Sequence, residues 1–277
     1  MPSLKHSPRF FNVGYLQFDV QMGDIAANLT QVKRGLARLA PQSPAIIVLP
    51  ELWATGFAYR RLPQLARRTP DILLSLQRLA AQYEILLAGS LPERNTTNSY
   101  LYNTLYITGP SGFIGSCRKQ HLFSPMQEDK YLYPGNNPQP IDTPLGRLAG
   151  LVCYDLRFPE LARSHAASGA AMLLISAQWP SVRKEHWRIL VQARAIENQL
   201  FVVAGNRCGA DRLGDGTTYA GHSMIVGPDG DIIHEAGENE EQQTASIDIT
   251  LLDAVRGRFN TVAPSPYMFP DHDKIVD

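Results

Sequence analysis

The sequence predicts an α/β fold with a mixed sheet. Short, continuous apolar runs of strand length alternate with amphipathic stretches of helical period along most of the chain. Some neighbouring strand runs are separated only by Gly/Pro turns, which makes part of the sheet antiparallel. There is no polar linker long enough to divide two domains and no fixed-period repeat, so residues 1–277 are read as one domain with an extended tail from about 260.

In order, Phe11 to Phe18 reads as a first strand. Asn28 to Leu39 carries Leu29, Val32, Leu36 and Leu39 at helical spacing, and Pro41 stops it. Ala45 to Leu49 is an apolar run typical of a strand covered on both faces. Pro70 to Tyr83 is helical in pattern, and Ile85 to Ser90 is a further buried strand. Tyr102 to Ile107 and Phe113 to Arg118 flank Gly109-Pro110-Ser111-Gly112 as a hairpin. The second half repeats the rhythm. Leu148 to Cys153 is a strand, Pro159 to Ser168 a helix, Ala171 to Ser176 a strand, Lys184 to Asn198 a helix and Leu200 to Gly205 a strand. Ser223 to Val226 and Asp231 to His234 form a hairpin turning at Pro228-Asp229-Gly230, followed by a strand at Thr244 to Ile249 and a short helix at Leu251 to Arg258.

Composition narrows the function. Lys+Arg 26 balance Asp+Glu 26, which argues against a general nucleic-acid binder. The apolar fraction of 44% excludes a mostly disordered chain. No apolar stretch reaches the roughly 20 residues that span a bilayer, and no signal-peptide pattern follows the polar N-terminus. Cys117, Cys153 and Cys208 are the only cysteines, and no CxxC pair or HExxH motif occurs. We therefore expect a cytoplasmic protein with no metal and no cofactor.

Three strand ends run into chemically capable residues: Leu49-Pro50 into Glu51, Cys117-Arg118 into Lys119 and Leu151-Val152 into Cys153. Taken singly, each has a plainer explanation as a solvated carboxylate, a surface ammonium or a small packing residue. Together they describe a site, because reactive groups in such folds gather at the carboxyl ends of strands. Cys153 precedes Tyr154-Asp155-Leu156-Arg157-Phe158-Pro159, and Pro159 suits the first turn of a helix. The thiol is thus expected at a sharp strand-to-helix turn, a location that lowers a thiol pKa and offers backbone N–H groups to an oxyanion. Glu51 and Lys119 can supply proton transfer and charge stabilisation.

Leu49-Pro50-Glu51-Leu52, Arg118-Lys119-Gln120-His121-Leu122-Phe123 and Gly150-Leu151-Val152-Cys153-Tyr154-Asp155-Leu156-Arg157-Phe158-Pro159-Glu160 resemble, in order, the three signatures of the carbon–nitrogen hydrolase (nitrilase) superfamily. Ala193 to Gln199 and Gly221-His222-Ser223 resemble later segments of that family. The resemblance implies a four-layer α-β-β-α sandwich and a Glu-Lys-Cys triad. Glu51 matches the general base, Lys119 the oxyanion-side cation and Cys153 the nucleophile, with Glu128 the best match to a second, orienting glutamate. The backbone N–H of Tyr154 is expected beside Lys119 at the oxyanion. Cys117 is read as a packing residue of the hairpin strand, Cys208 as incidental in a Gly-rich loop, His121 as a loop-positioning residue and Asp155 as a buried support of the turn.

Ser176-Ala177-Gln178-Trp179-Pro180, with Arg183 and His186-Trp187, is similar to bacterial-type ω-amidases. That similarity implies a small-molecule substrate, the terminal amide of a 2-oxo dicarboxylic acid such as 2-oxoglutaramate. A pocket for its far carboxylate needs a cation, for which Arg157 and Arg183 are candidates, and Trp179 is a candidate wall. An N-carbamoyl amino-acid or amine hydrolase is the alternative within the enzymes, and a catalytically retired binding protein on the same fold is the alternative outside them. The family further implies a homodimer or larger homo-oligomer.

Overall fold

The computed structural model describes residues 9–136, 139–211 and 216–262. The strands of the first half are β1 (Phe10–Gln17), β2 (Ile46–Val48), β3 (Leu86–Arg94), β4 (Leu101–Gly109) and β5 (Gly112–Arg118). Those of the second half are β6 (Ile141–Thr143), β7 (Gly146–Val152), β8 (Met172–Ala177), β9 (Phe201–Asn206), β10 (Cys208–Ala210), β11 (Thr218–Ala220), β12 (Met224–Val226), β13 (Ile232–Glu235) and β14 (Glu241–Asp248). The helices are α1 (Ile25–Leu39), α2 (Leu62–Leu65), α3 (Thr69–Tyr83), α4 (Pro159–Ala167), α5 (Lys184–Asn198) and α6 (Leu251–Arg258).

Two six-stranded sheets form, in the orders β14-β1-β2-β3-β4-β5 and β13-β12-β9-β8-β7-β6. Each has three parallel strands, β1-β2-β3 and β9-β8-β7, flanked by antiparallel ones, so the mixed character read from the sequence holds in both. The side-chain period of two then sorts each strand between two cores. In the first sheet Val13, Tyr15, Ile46, Val48, Leu86, Ala88, Leu105 and Ile107 face the second sheet. Their alternates Leu16, Ile47, Leu87 and Tyr106 face Val32, Leu36 and Leu39 of α1 and Ile72, Leu76 and Leu79 of α3. On the far side, Leu161 of α4 and Trp187, Val191 and Ala195 of α5 cover the second sheet. The result is the expected α-β-β-α sandwich.

The differences from expectation lie at element ends. Helix α1 begins at Ile25 rather than Asn28, because the Asp24 side chain caps it by accepting from the Ala27 N–H at 2.9 Å. Strand β3 runs on to Arg94 through Pro92. It tolerates the proline because β2 pairs only Leu86 to Ala88, leaving the later N–H side of β3 without a neighbouring strand. The β6–β7 hairpin and the β10–β11 ribbon were not foreseen, and Cys208 lies in the ribbon rather than in a loop. Gly230 adopts a φ of 87° at the predicted turn between β12 and β13. The proline-rich tail from 263 lies outside the described residues. Among the described residues no helix is long and apolar enough to cross a membrane.

The ends of β2, β5, β7, β8 and β9 deliver Glu51, Lys119, Cys153, Gln178 and Arg207. Their relative positions depend on how closely the two sheets approach. One close approach of backbone to backbone lies at Gly205 of β9, where a Cβ would meet the Val48 carbonyl oxygen at 2.9 Å and carbon at 3.1 Å. The opposing atoms are backbone and cannot rotate away. Gly205→Ala is therefore expected to destabilise by about 1–3 kcal/mol, as overpacking does. Thermal unfolding should show a Tm lower by several degrees, and an unchanged Tm would mean that the sheets separate freely.

Candidate active site

Cys153 is the first residue after β7 and has a φ of 47°, the left-handed region that costs a side-chain-bearing residue about 1–2 kcal/mol. The turn Cys153–Arg157 is held by its own Asp155. This buried carboxylate accepts from the N–H groups of Val152 at 3.2 Å, Gln120 at 3.2 Å and His121 at 2.8 Å, and from His121 Nδ1 at 2.9 Å. One side chain thus supports the cysteine turn and ties it to the segment after Lys119, as expected of it. The His121 ring stacks on Phe158 at 3.5 Å, in keeping with a positioning role. Arg194 of α5 adds two donations to the Leu156 carbonyl, at 3.0 and 2.7 Å.

Lys119 leaves β5 with only 2% of its side chain exposed. Its Nζ donates to Glu51 Oε1 at 2.8 Å and to Glu128 Oε2 and Oε1 at 2.7 and 2.9 Å. Glu51 is further held by Asn103 Nδ2 on Oε1 at 2.7 Å and by the Gln178 N–H on Oε2 at 3.2 Å. Gln178 Nε2 also donates to the Glu51 backbone carbonyl at 2.7 Å. Glu128 is fixed by the Phe123 N–H at 2.8 Å. The Cys153 thiol lies beside the Glu51 carboxylate and the Gln178 N–H. All four residues expected from the sequence, Glu51, Lys119, Glu128 and Cys153, meet at one point.

The electrostatics follow from burial. Burial alone would lower the Lys119 pKa, but the facing Glu128 and Glu51 outweigh it and hold the ammonium well above its ordinary range. Burial raises Glu51, and Glu128 adds to the rise while Lys119 opposes it. Cys153 departs from expectation. Its turn position was expected to lower the thiol pKa, yet burial first and the Glu51 charge second push it well above the ordinary value, with Lys119 only a partial offset. Cys117 and Cys208 are buried away from this cluster. Cys117 donates to the Gly150 carbonyl at 3.1 Å, and burial pushes Cys208 up to about 12.

A cavity of about 640 Å³ opens on the four residues. Tyr154, Arg157, Trp179 and Arg183 line it, so every substrate-side candidate is present. The Arg157 guanidinium lies 4.7 Å from the Trp179 ring centre, and both its terminal nitrogens stand 3.3 Å from His186 Nδ1. Trp179 is pinned by donation from its ring N–H to the Arg183 carbonyl at 2.9 Å. Among the described residues, neither Arg157 nor Arg183 forms an ion pair with a carboxylate. The sequence did not single out Asn103, Gln178 or Tyr59. Asn103 reaches Glu51 only through the β3–β4–β5 pairing, and Tyr59 enters the cavity from a 3₁₀ turn, Tyr59–Arg61. Gln178 alone carried a signal, as an amide at a strand end within the Ser176 to Pro180 run. Among the described residues no group of three or more His, Cys, Asp or Glu is arranged to hold a metal ion.

Comparison with known proteins agrees with this geometry. The family model for carbon-nitrogen hydrolases matches residues 12–257. The chain is 38% identical over 242 residues to a 2-oxoglutaramate amidase of Bacillus subtilis, covering 86% of this chain and 91% of that one. It is 33% identical over 251 residues to the omega-amidase YafV of Escherichia coli, covering 91% of each. Among solved structures, a carbon-nitrogen hydrolase superfamily protein of Xanthomonas campestris superposes with a TM-score of 0.84 at 29% identity, over 92% of this chain and 96% of that one. A match that spans both sheets and all three strand ends carrying Glu51, Lys119 and Cys153 leaves one conclusion: the chain belongs to the carbon–nitrogen hydrolase family of the nitrilase superfamily.

Proposed function

We propose that this protein is an ω-amidase that hydrolyses the terminal amide of a small 2-oxo dicarboxylic acid, such as 2-oxoglutaramate, to the acid and ammonia. The observation that carries the proposal is a single cavity joining Cys153, Glu51, Lys119 and Glu128 to two arginines that have no carboxylate partner among the described residues. A cavity of about 640 Å³ suits a short substrate with an amide at one end and an anion at the other. The similarity to a 2-oxoglutaramate amidase supports the same substrate class.

In this reading Glu51 takes the Cys153 proton as the sulfur attacks the amide carbon. The raised thiol pKa is why the attack needs a base beside the sulfur. The Lys119 ammonium and the Tyr154 N–H stabilise the tetrahedral oxyanion. Glu51, whose burial makes it tolerant of a proton, passes that proton to the departing nitrogen; the C–N bond breaks, ammonia leaves and a thioester remains. Water attacks the thioester while Glu51 takes its proton. The C–S bond then breaks, and Glu51 returns the proton to the sulfur. Glu128 holds Lys119 in place throughout through two hydrogen bonds.

An N-carbamoyl substrate would also use an arginine, but its second ureido nitrogen needs an acceptor beside the reacting carbon. The nearest carboxylates, Glu51 and Glu128, are already engaged with Lys119. A binding-only role gives no reason to assemble this buried cluster. Exposed Ile189 and Ile196 on α5 support a homodimer, and the free thiols at Cys117, Cys153 and Cys208 support a cytoplasmic location. We read the whole chain as one hydrolase domain.

Cys153→Ala should abolish turnover and leave the fold intact, and mass spectrometry of the native enzyme with a slow substrate should find the acyl adduct on Cys153. An adduct on Cys117 or Cys208 would overturn the assignment.

Lys119→Arg keeps a charge but not the compact ammonium that fits between two buried carboxylates. Turnover should fall by at least roughly 100-fold, the scale of a lost oxyanion donor. Near-native kcat in this variant would remove Lys119 from the chemistry.

Substrate choice is tested by comparing kcat/KM for 2-oxoglutaramate, butyramide and an N-carbamoyl amino acid at neutral pH. A charge-assisted contact is worth about 1.5–3 kcal/mol, so the oxo-acid amide should lead butyramide by roughly 10- to 150-fold. Preference for the carbamoyl compound would favour the alternative hydrolase, and equal use of butyramide would dismiss the carboxylate pocket.

A further inference from the structure

Arg207 is a buried guanidinium, 1% exposed, that takes no part in the reaction described above. It is the residue immediately after β9, whose last residue is Asn206. Its Nη1 donates to Gln178 Oε1 at 2.8 Å. Its Nη2 donates to Asp19 Oδ1 at 3.0 Å and to the Ala210 carbonyl at 3.2 Å, and the guanidinium lies 4.1 Å from the Tyr219 ring centre. The head group is thus shared between an ion pair, a backbone carbonyl, an aromatic face and one side-chain amide.

The amide is the important partner. An arginine has donors only, so whichever Gln178 atom faces Arg207 must be the oxygen. That leaves Nε2 to face the Glu51 backbone carbonyl, to which it donates at 2.7 Å. With the amide reversed, two NH groups would meet at Arg207 and two oxygens at Glu51. The same Gln178 supplies the one backbone N–H that donates to Glu51 Oε2 at 3.2 Å and lies beside the Cys153 sulfur. Gln178 therefore grips Glu51 at both its backbone and its carboxylate, and Arg207 determines which way Gln178 points. Asn103 and Lys119 both bind the opposite oxygen, Oε1.

We infer that Arg207 is a positioning residue for Glu51, acting through Gln178: it fixes the Gln178 amide so that the base stays aligned with the Cys153 thiol. The inference rests on the proposed role of Glu51 as base. Arg207 does not touch the substrate in this scheme, so its loss should appear in kcat and leave KM nearly unchanged.

The test measures ammonia release by the full-length enzyme, using whichever amide of the substrate panel is turned over fastest, for Arg207→Lys, Arg207→Met, Gln178→Ala and the two double variants. Lysine keeps the charge near Asp19 but cannot span Asp19 and Gln178 together. Arg207→Lys and Gln178→Ala should each lower kcat by roughly 10- to 100-fold, the cost of a misplaced catalytic group, with KM changed less than about 3-fold. In the Gln178→Ala background, Arg207→Lys should cost little more, because the route it acts through is already gone. Arg207→Met, which removes every donor to the Gln178 amide, should lower kcat at least as far as Arg207→Lys, with KM again changed less than about 3-fold. Should Arg207→Met fail to fold by circular dichroism, the lysine variant and its double-variant cycle decide the matter alone. Multiplying losses in the double variant, or native kcat in Arg207→Lys, would overturn the inference. Glu51→Gln and Cys153→Ala measured alongside separate the two failures: if they remain active the base assignment is wrong, and if they are dead while Arg207→Lys is native, only the role of Arg207 is wrong.

Discussion

Lys119 carries its positive charge on a side chain that is only 2% exposed. A buried ion of this kind is tolerated only when opposite charge and hydrogen bonds surround it, and removing one partner of such a pair costs about 3–5 kcal/mol. Here the compensation comes from two carboxylates, Glu51 from the end of β2 and Glu128 from the loop after β5. Once the ammonium is fixed, the positions of both glutamates follow. Asn103, Gln178 and the Phe123 N–H then occupy the remaining acceptor sites of those glutamates. The reactive centre is therefore a charge-compensated cluster before it is a catalyst, and its chemistry uses contacts that the fold needs in any case.

The strained backbone at Cys153 belongs to the same arrangement. A φ of 47° aims the thiol into the cluster, and the conformation persists because Asp155 and Arg194 hold the turn from two sides. Asp155 also binds the N–H groups of Gln120 and His121 directly after Lys119, so the Cys153 turn and the Lys119 segment share one anchor. The raised thiol pKa is a consequence of this depth, because burial and the neighbouring Glu51 charge both disfavour the thiolate.

Both signs of charge line the cavity. Glu51 and Glu128 face Lys119, while Arg157 and Arg183 bring further positive charge to the same cavity. An amide substrate that carries a carboxylate complements such a lining.

The sequence by itself determined the strand–helix rhythm, the continuous apolar runs of strands covered on both faces, and the residue types at the three strand ends. These are properties of local periodicity and of contiguous motifs, which a linear reading captures. It also placed Glu128, Arg157, Trp179 and Arg183 at the site through resemblance. Only the tertiary structure decided which further groups complete the cluster. Asn103 meets Glu51 across 52 residues and Gln178 meets it across 127, and no local pattern marks either side chain as facing the other. The direction of the Cys153 pKa belongs here too. The turn argued for a lowered value, but burial and the Glu51 charge are properties of the assembled sheets, and desolvation outweighed the local effect. Helix starts such as Asp24 and short ribbons such as β10–β11 escaped for the related reason that a single cap or a three-residue pairing is too short to leave a periodic signal.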